Sequence, residues 1–221
     1  MSAPSWGCPM TNAAMDNDVL LKAVSYGIFD SLLAVLPACK YGVLGTARFV
    51  VPKYLKRRPP RRYEQARAEL EQVLAHLDVL EPTAGEVALA AALEFEAQRQ
   101  QLSLHGGECT LLAILHERGL LNFLTGDKAA ILAIGRIALP GGMERSRFER
   151  KIICFERAIL ALLDREGDAF RQVICAEPEV DMALRLSFSC SSPGVSSASW
   201  REGLQSEIRH LNEQVPNLLI D

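Results

Sequence analysis

The sequence predicts an α/β fold with a central, mainly parallel sheet flanked by helices, followed by a mostly helical C-terminal extension. Three observations predict it. Between residues 12 and 139, short apolar runs alternate with longer stretches of helical periodicity, the pattern of repeated strand–helix units. The short runs stop at Pro, Gly or Asp, residues that close strands and open helices. After Pro140-Gly141-Gly142 the alternation gives way to helical spacing alone.

Residues 1–11 carry no periodicity and are expected to form a flexible tail. NAAM (12–15) predicts a first strand, and DVLLKAVSYG a helix carrying Val19, Leu20, Ala23 and Val24 on one face. IFDSLLAVL predicts a second short helix, stopped before Pro37. ARFVV (47–51) predicts the second strand, closed by Pro52. RYEQARAELEQVLA is an amphipathic helix, and HLDVLEP, short and ending in Pro82, a third strand. Thr83 followed by Glu86 is a capping-box pattern opening the next helix. A further helix is predicted from about Glu108 to a stop at Gly119. LLNFLT (120–125) is the fourth strand, and GDKAAILAIGRIAL a helix ending at Pro140. The α/β domain thus spans 12–139 and the extension 140–221. Within the extension, ERSRFERKIICFERAILALLDREG predicts one long helix, DAFRQVICA another and WREGLQSEIRHLNEQV a last amphipathic one. The Ser-rich stretch near 187–199 predicts a linker.

Composition narrows the classes of function. At 221 residues, 49% of them apolar, the chain has the makings of a substantial core. A net charge of −3 means that any nucleic-acid contact must come from a local basic patch. No apolar run approaches the ~20 residues of a membrane helix, and MSAPSWGCPMTN lacks the features of a secretory signal. A cytoplasmic protein without membrane contact is expected. The six cysteines form no C-x-x-C pair and have no histidine at ligand spacing, which argues against structural zinc. Cys39, Cys109, Cys154 and Cys175 lie among apolar residues and are expected as free thiols.

Acidic residues recur where strands give way to helices. Asp16 and Asp18 follow the first strand, Asp127 follows the fourth, and Glu108 stands in the first turn of the helix opened by Gly106-Gly107. In an open parallel sheet the carboxyl ends of all strands share one edge, where ligand sites form. Each acid taken singly is explained as a helix cap, since free N–H groups and the helix dipole favour carboxylates there. Taken together, they also suit a site for a hard cation.

At this point the chain resembles a family. MDNDVLLKAVSYGIFDSLL, HLDVLEPTAGEVALAAAL and above all GGECTLLAILHERGLLNFLTGDKAA are similar, in order and spacing, to the PIN-like nuclease domains. The resemblance covers about residues 13–139. It implies a PIN-like three-layer fold in which clustered acids bind Mg²⁺ or Mn²⁺ and hydrolyse phosphodiester bonds, usually in RNA. Asp16, Glu108 and Asp127 would be the catalytic, metal-binding acids. Thr125 would lie beside Asp127, and Asp18 stands where the family often has asparagine. One departure is plain: Tyr54, Lys56 and Arg57 occupy the segment after the second strand where a further acid is expected. Glu64, Glu69 or Asp18 would have to supply it, and a degraded module for nucleic-acid or protein binding is the alternative. Metal chemistry of this kind has a simple basis: Mg²⁺ is held by one or two carboxylates plus water and phosphate oxygens, and a bound cation makes hydroxide available near neutral pH.

Lys53, Lys56, Arg57, Arg58, Arg61 and Arg62 crowd into ten residues flanked by Tyr54 and Tyr63. With Thr125 and Lys128 they form the predicted phosphate-contacting set, and nucleic acid, RNA first, is the expected partner. A regulatory protein or a second copy of the chain is a further candidate partner. His105 is a rival general base or a solvated loop residue. Arg145, Arg147, Arg150 and Lys151 are expected to pair with Glu144 and Glu149.

Overall fold

The computed structural model describes residues 11–38, 40–192 and 194–220, so most of the predicted N-terminal tail and Cys39 lie outside the described residues. The chain runs β1 (Ala13–Met15), α1 (Asn17–Tyr26), α2 (Phe29–Val35), β2 (Tyr41–Leu44), α3 (Ala47–Arg57), α4 (Tyr63–His76) and β3 (Asp78–Leu80). It continues with α5 (Ala84–Arg99), α6 (Gly106–Arg118), β4 (Asn122–Thr125), α7 (Lys128–Arg136), β5 (Ile152–Cys154), α8 (Phe155–Glu166), α9 (Phe170–Ala176), α10 (Met182–Ser187) and α11 (Ser197–Gln214). The five strands are all parallel in the order β3-β2-β1-β4-β5, with helices flanking the sheet. Strands β1, β2, β4 and β5 are buried throughout, as parallel strands covered on both faces must be. Only the edge strand β3 shows partial exposure.

The order of strands places the switch point between β1 and β4. The chain first winds outward through β2 and β3, then returns to β4 on the other side of β1 and on to β5. The crevice between β1 and β4 therefore opens at their carboxyl ends. Helices α1, α3 and α4 pack on one another, α5 packs along α6, and α6 lies against β1 and β4. Thr83 and Glu86 form the predicted capping box of α5, and Arg118 grips Glu86 at 2.7 and 2.8 Å to tie α6 to α5. Gly119 ends α6 in the left-handed conformation, as the stop there required.

Two elements differ from the sequence expectation. The second strand is Tyr41–Leu44, and ARFVV lies in the helix α3. Burial decides this: Ala47, Val51 and Leu55, four residues apart, face the core and override the strand preference of the Val-rich run. Pro52 is exposed on α3, and the residue whose carbonyl it cannot serve, Arg48 four positions earlier, is exposed too. The predicted long helix at 144–167 is instead the strand β5 followed by α8. Ile152, Ile153 and Cys154 pair with Phe123, Leu124 and Thr125, so the chain beyond residue 140 contributes the fifth strand of the sheet.

Other local expectations change too. Cys175 is not a free thiol but is joined to Cys190 in a disulfide, while Cys109 and Cys154 are free and buried. The Ser-rich stretch near 187–199 is anchored by Phe188, fully buried against Phe170 and Trp200. Arg145 donates to the carbonyls of Ile134 and Ile137 at the end of α7, and Lys151 to that of Leu120, so these two serve helix and loop ends instead of a salt-bridged face. No helix of the described residues is long and apolar enough to cross a membrane.

Candidate active site

Asp16 is the N-cap of α1 and follows β1 directly. Its own N–H donates to Leu124 O at 2.9 Å, which locks it to β4. Oδ1 accepts from the N–H of Asn17 at 2.7 Å and Oδ2 from the Thr125 hydroxyl at 3.3 Å. Thr125 is fully buried, and its Oγ1 also accepts from the N–H of Asp127 at 3.2 Å. One threonine hydroxyl thus joins the acid after β1 to the acid after β4. Asp127 caps α7 through Oδ1 and the N–H of Ala130 at 3.0 Å. Glu108 stands in the first turn of α6 and accepts from His105 N–H at 3.0 Å. All the predicted acids therefore serve helix ends, Asp18 lying in the first turn of α1.

They also line one cavity. Asp16, Asp18, Glu108 and Asp127 surround a space of about 810 Å³ at the carboxyl ends of β1 and β4, with Asn17, Lys22, Tyr54, His105 and Lys128. Gly126 keeps this assembly compact: a methyl group there would meet the ends of the Asp18 and Lys22 side chains, which would have to shift to make room. Asp18 is answered by Lys22 at 2.7 Å, and Lys22 is shared at the same distance with Asp181, which caps α10. Among the described residues Asp16 has no cationic partner. Burial, then the negative charge of Glu108 and of Asp18, pushes its carboxyl up to about 7.

The expected replacements for the missing acid separate cleanly. Glu64 pairs with Arg67 on the surface of α4, and Glu69 pairs with Arg62 at 3.1 Å and lines a different cavity. Neither borders the acid cavity, whereas Asp18 does. Of the predicted phosphate-contacting set, Arg62 and Lys128 are committed elsewhere. Arg62 donates to Val24 O and to Glu69, and Lys128 bridges Glu156 at 3.0 Å and Glu207 at 2.6 Å. Lys53, Lys56, Arg57, Arg58 and Arg61 are exposed, and among the described residues none of them forms an ion pair. Tyr63 is packed against the core, while Tyr54 faces the cavity.

Four functional neighbours escaped the sequence. Lys22 was detectable from its spacing of four from Asp18 on one helix. Phe49 was concealed by the strand assigned to ARFVV, and Asp181 and Glu156 carried no local signal because only the folded chain brings them to the sheet edge.

The donor set suits a hard divalent cation in kind. The four acids offer oxygen ligands, and a buried carboxylate raised by two others is one that an external positive charge would relieve. Among the described residues no group of three or more His, Cys, Asp or Glu side chains is gathered tightly enough to hold a metal by itself. Mg²⁺ does not demand this, since it is commonly bound through one or two carboxylates with water and phosphate completing its shell. Fold and site together define a three-layer, all-parallel α/β protein with a carboxylate-lined cavity at its topological switch point. Compared with models of known families, with curated proteins and with solved structures, the chain has no match.

Proposed function

We propose that the protein is a divalent-metal-dependent nuclease that hydrolyses phosphodiester bonds, RNA being its first candidate substrate. The observation that carries the proposal is Asp16: a buried carboxylate without a cationic partner among the described residues, at the switch point of a parallel sheet, pressed by Glu108 and Asp18 at one cavity. Asp16, Asp18, Glu108 and Asp127 are the residues that would hold Mg²⁺ or Mn²⁺. The cation would supply an activated water and offset charge on the leaving oxygen. The chain's own part is positional. Thr125 fixes the orientation of Asp16 and the backbone of Asp127, and Lys22 holds Asp18 at the cavity wall. The exposed cations of α3 and the following turn would draw the phosphate backbone toward the acids.

A second function, a binding module without hydrolysis, is favoured by one specific observation: Asp18 is already neutralised by Lys22, which also holds Asp181. Incubation of end-labelled RNA with the protein and Mn²⁺ separates the two. Nuclease function predicts cleavage that falls at least ~100-fold in Asp16→Asn and in Asp127→Asn while both variants melt cooperatively. Bound RNA that stays intact with Mg²⁺ and Mn²⁺ would establish the binding module.

A further inference from the structure

α3 leaves two large aromatic side chains open to solvent that the core does not use. Phe49 is 74% exposed and Tyr54 47% exposed, on a helix whose Ala47, Val51 and Leu55 already satisfy its packing. Burying such rings is normally worth several kilocalories, so two left open on one short helix call for an occupant. Around them stand Lys53, Lys56, Arg57 and Arg58, exposed and, among the described residues, without ion pairs.

The spaces beside these rings adjoin one another. A cavity of about 720 Å³ next to Phe49 shares Asn17, Val50 and Gly107 with the acid cavity. The acid cavity in turn shares Asp18, Leu21, Lys22 and Tyr54 with a third space of about 590 Å³ that reaches Arg58 and Arg61. Side by side, the three spaces outline a trough along α3, with Phe49 at one end, Tyr54 beside the acids, and Arg58 and Arg61 at the other end. From Phe49 to Arg58 the helix rises about 14 Å.

We infer that this trough binds a single unpaired nucleic-acid strand, with bases stacked on Phe49 and Tyr54 and phosphates held by Lys53, Arg57, Arg58 and Arg61. Charge complementarity selects a polyanion, and the rings select one whose base faces are free. A duplex hides those faces in its own stack, so it can use the cations but not the aromatics. Stacking of this kind discriminates little between bases, so the strand is recognised by form more than by sequence. The inference rests on the nuclease proposal only in taking the acids as the reaction centre toward which the strand is led.

Fluorescence anisotropy in EDTA tests binding apart from cleavage, so failure of the nuclease proposal leaves the result readable. The probes are a labelled oligouridylate, the oligodeoxythymidylate of the same length, and a duplex of that length. Single strands are expected to bind about tenfold or more tightly than the duplex, and the stronger of the two single strands identifies the preferred sugar. Phe49→Ala and Tyr54→Ala should each weaken single-strand binding about 5- to 100-fold and leave duplex binding within about twofold. Phe49→Trp, which keeps a ring, should restore it. The double variant Lys53→Ala/Arg57→Ala should reduce the slope of log K against log salt by about 1.4. Equal affinity for strand and duplex, or unchanged affinity in both alanine variants with the fold intact by melting, overturns the inference; capture of a protein with no strand binding does so as well.

Discussion

Asp16 and Glu156 hold matching places in the fold and are treated in opposite ways. Each stands just beyond a strand of the same parallel sheet, in the opening of the next helix, and each is almost excluded from solvent. The charge of Glu156 is answered within the protein, though its Oε2 has no hydrogen-bond partner among the described residues: Lys128 lies 3.0 Å from Oε1 and is itself held by Glu207 of α11. Among the described residues Asp16 meets only a backbone N–H and a hydroxyl, with Glu108 and Asp18 beside the same open cavity. A carboxylate paired with an internal lysine is a joint of the structure. One left facing other carboxylates beside solvent is a place where a cation from outside lowers the free energy.

The comparison breaks first at Lys128. Lys128→Met leaves Glu156 buried without its counter-charge and should cost about 3 kcal/mol in urea unfolding at pH 8. A loss below about 0.5 kcal/mol would mean that the two acids do not differ as described.

Asp16 should respond in the opposite direction. In the metal-free protein its carboxyl titrates near 7 when folded and near 3.8 when unfolded, so the folded state holds the proton more tightly. Stability from this group is complete below pH 4 and is lost as pH rises through 7, with Glu108, Asp18 and Lys22 the charged groups facing it. Asp16→Asn, which keeps the helix cap, should therefore stabilise the protein by about 2 kcal/mol at pH 8 and leave it unchanged at pH 4. Equal effects at both pH values would place the cost elsewhere.

Asp181 sharpens the contrast with a smaller effect. Burial raises its carboxyl, but Lys22 and the N–H groups at the start of α10 outweigh this and hold it below the usual range. A lowered carboxyl contributes stability above its unfolded value, and that contribution disappears as pH falls through the folded one. Asp181→Asn should cost about 1 kcal/mol at pH 7 and nothing in strong acid, as followed by thermal melts across pH.

Much of this was legible in the sequence, for reasons that also explain what was not. Val19, Leu20, Ala23 and Val24 report their helix through spacing alone, and Thr83 with Glu86 reports a helix start through a local hydrogen-bonding pattern. Asp16 and Asp127 could be placed at one edge because parallel topology brings strand ends together whatever the loops between them do. The strand at Ile152–Cys154 was hidden because three apolar residues ahead of an amphipathic helix have the same periodicity as the helix. That error concealed Glu156, and with it the buried ion pair that engages Lys128. Thr125 joins two acids through one buried hydroxyl, a link that only the folded chain makes.

The central claim is that the cavity at Asp16 takes a divalent cation. Electron paramagnetic resonance of Mn²⁺ titrated into the protein at pH 8 tests it most directly, since bound and free ions give different signals. The account predicts saturable binding that Asp16→Asn abolishes and that Lys53→Ala, at an exposed position of α3, leaves unchanged. No saturable binding, or binding that persists undiminished in Asp16→Asn, would contradict it.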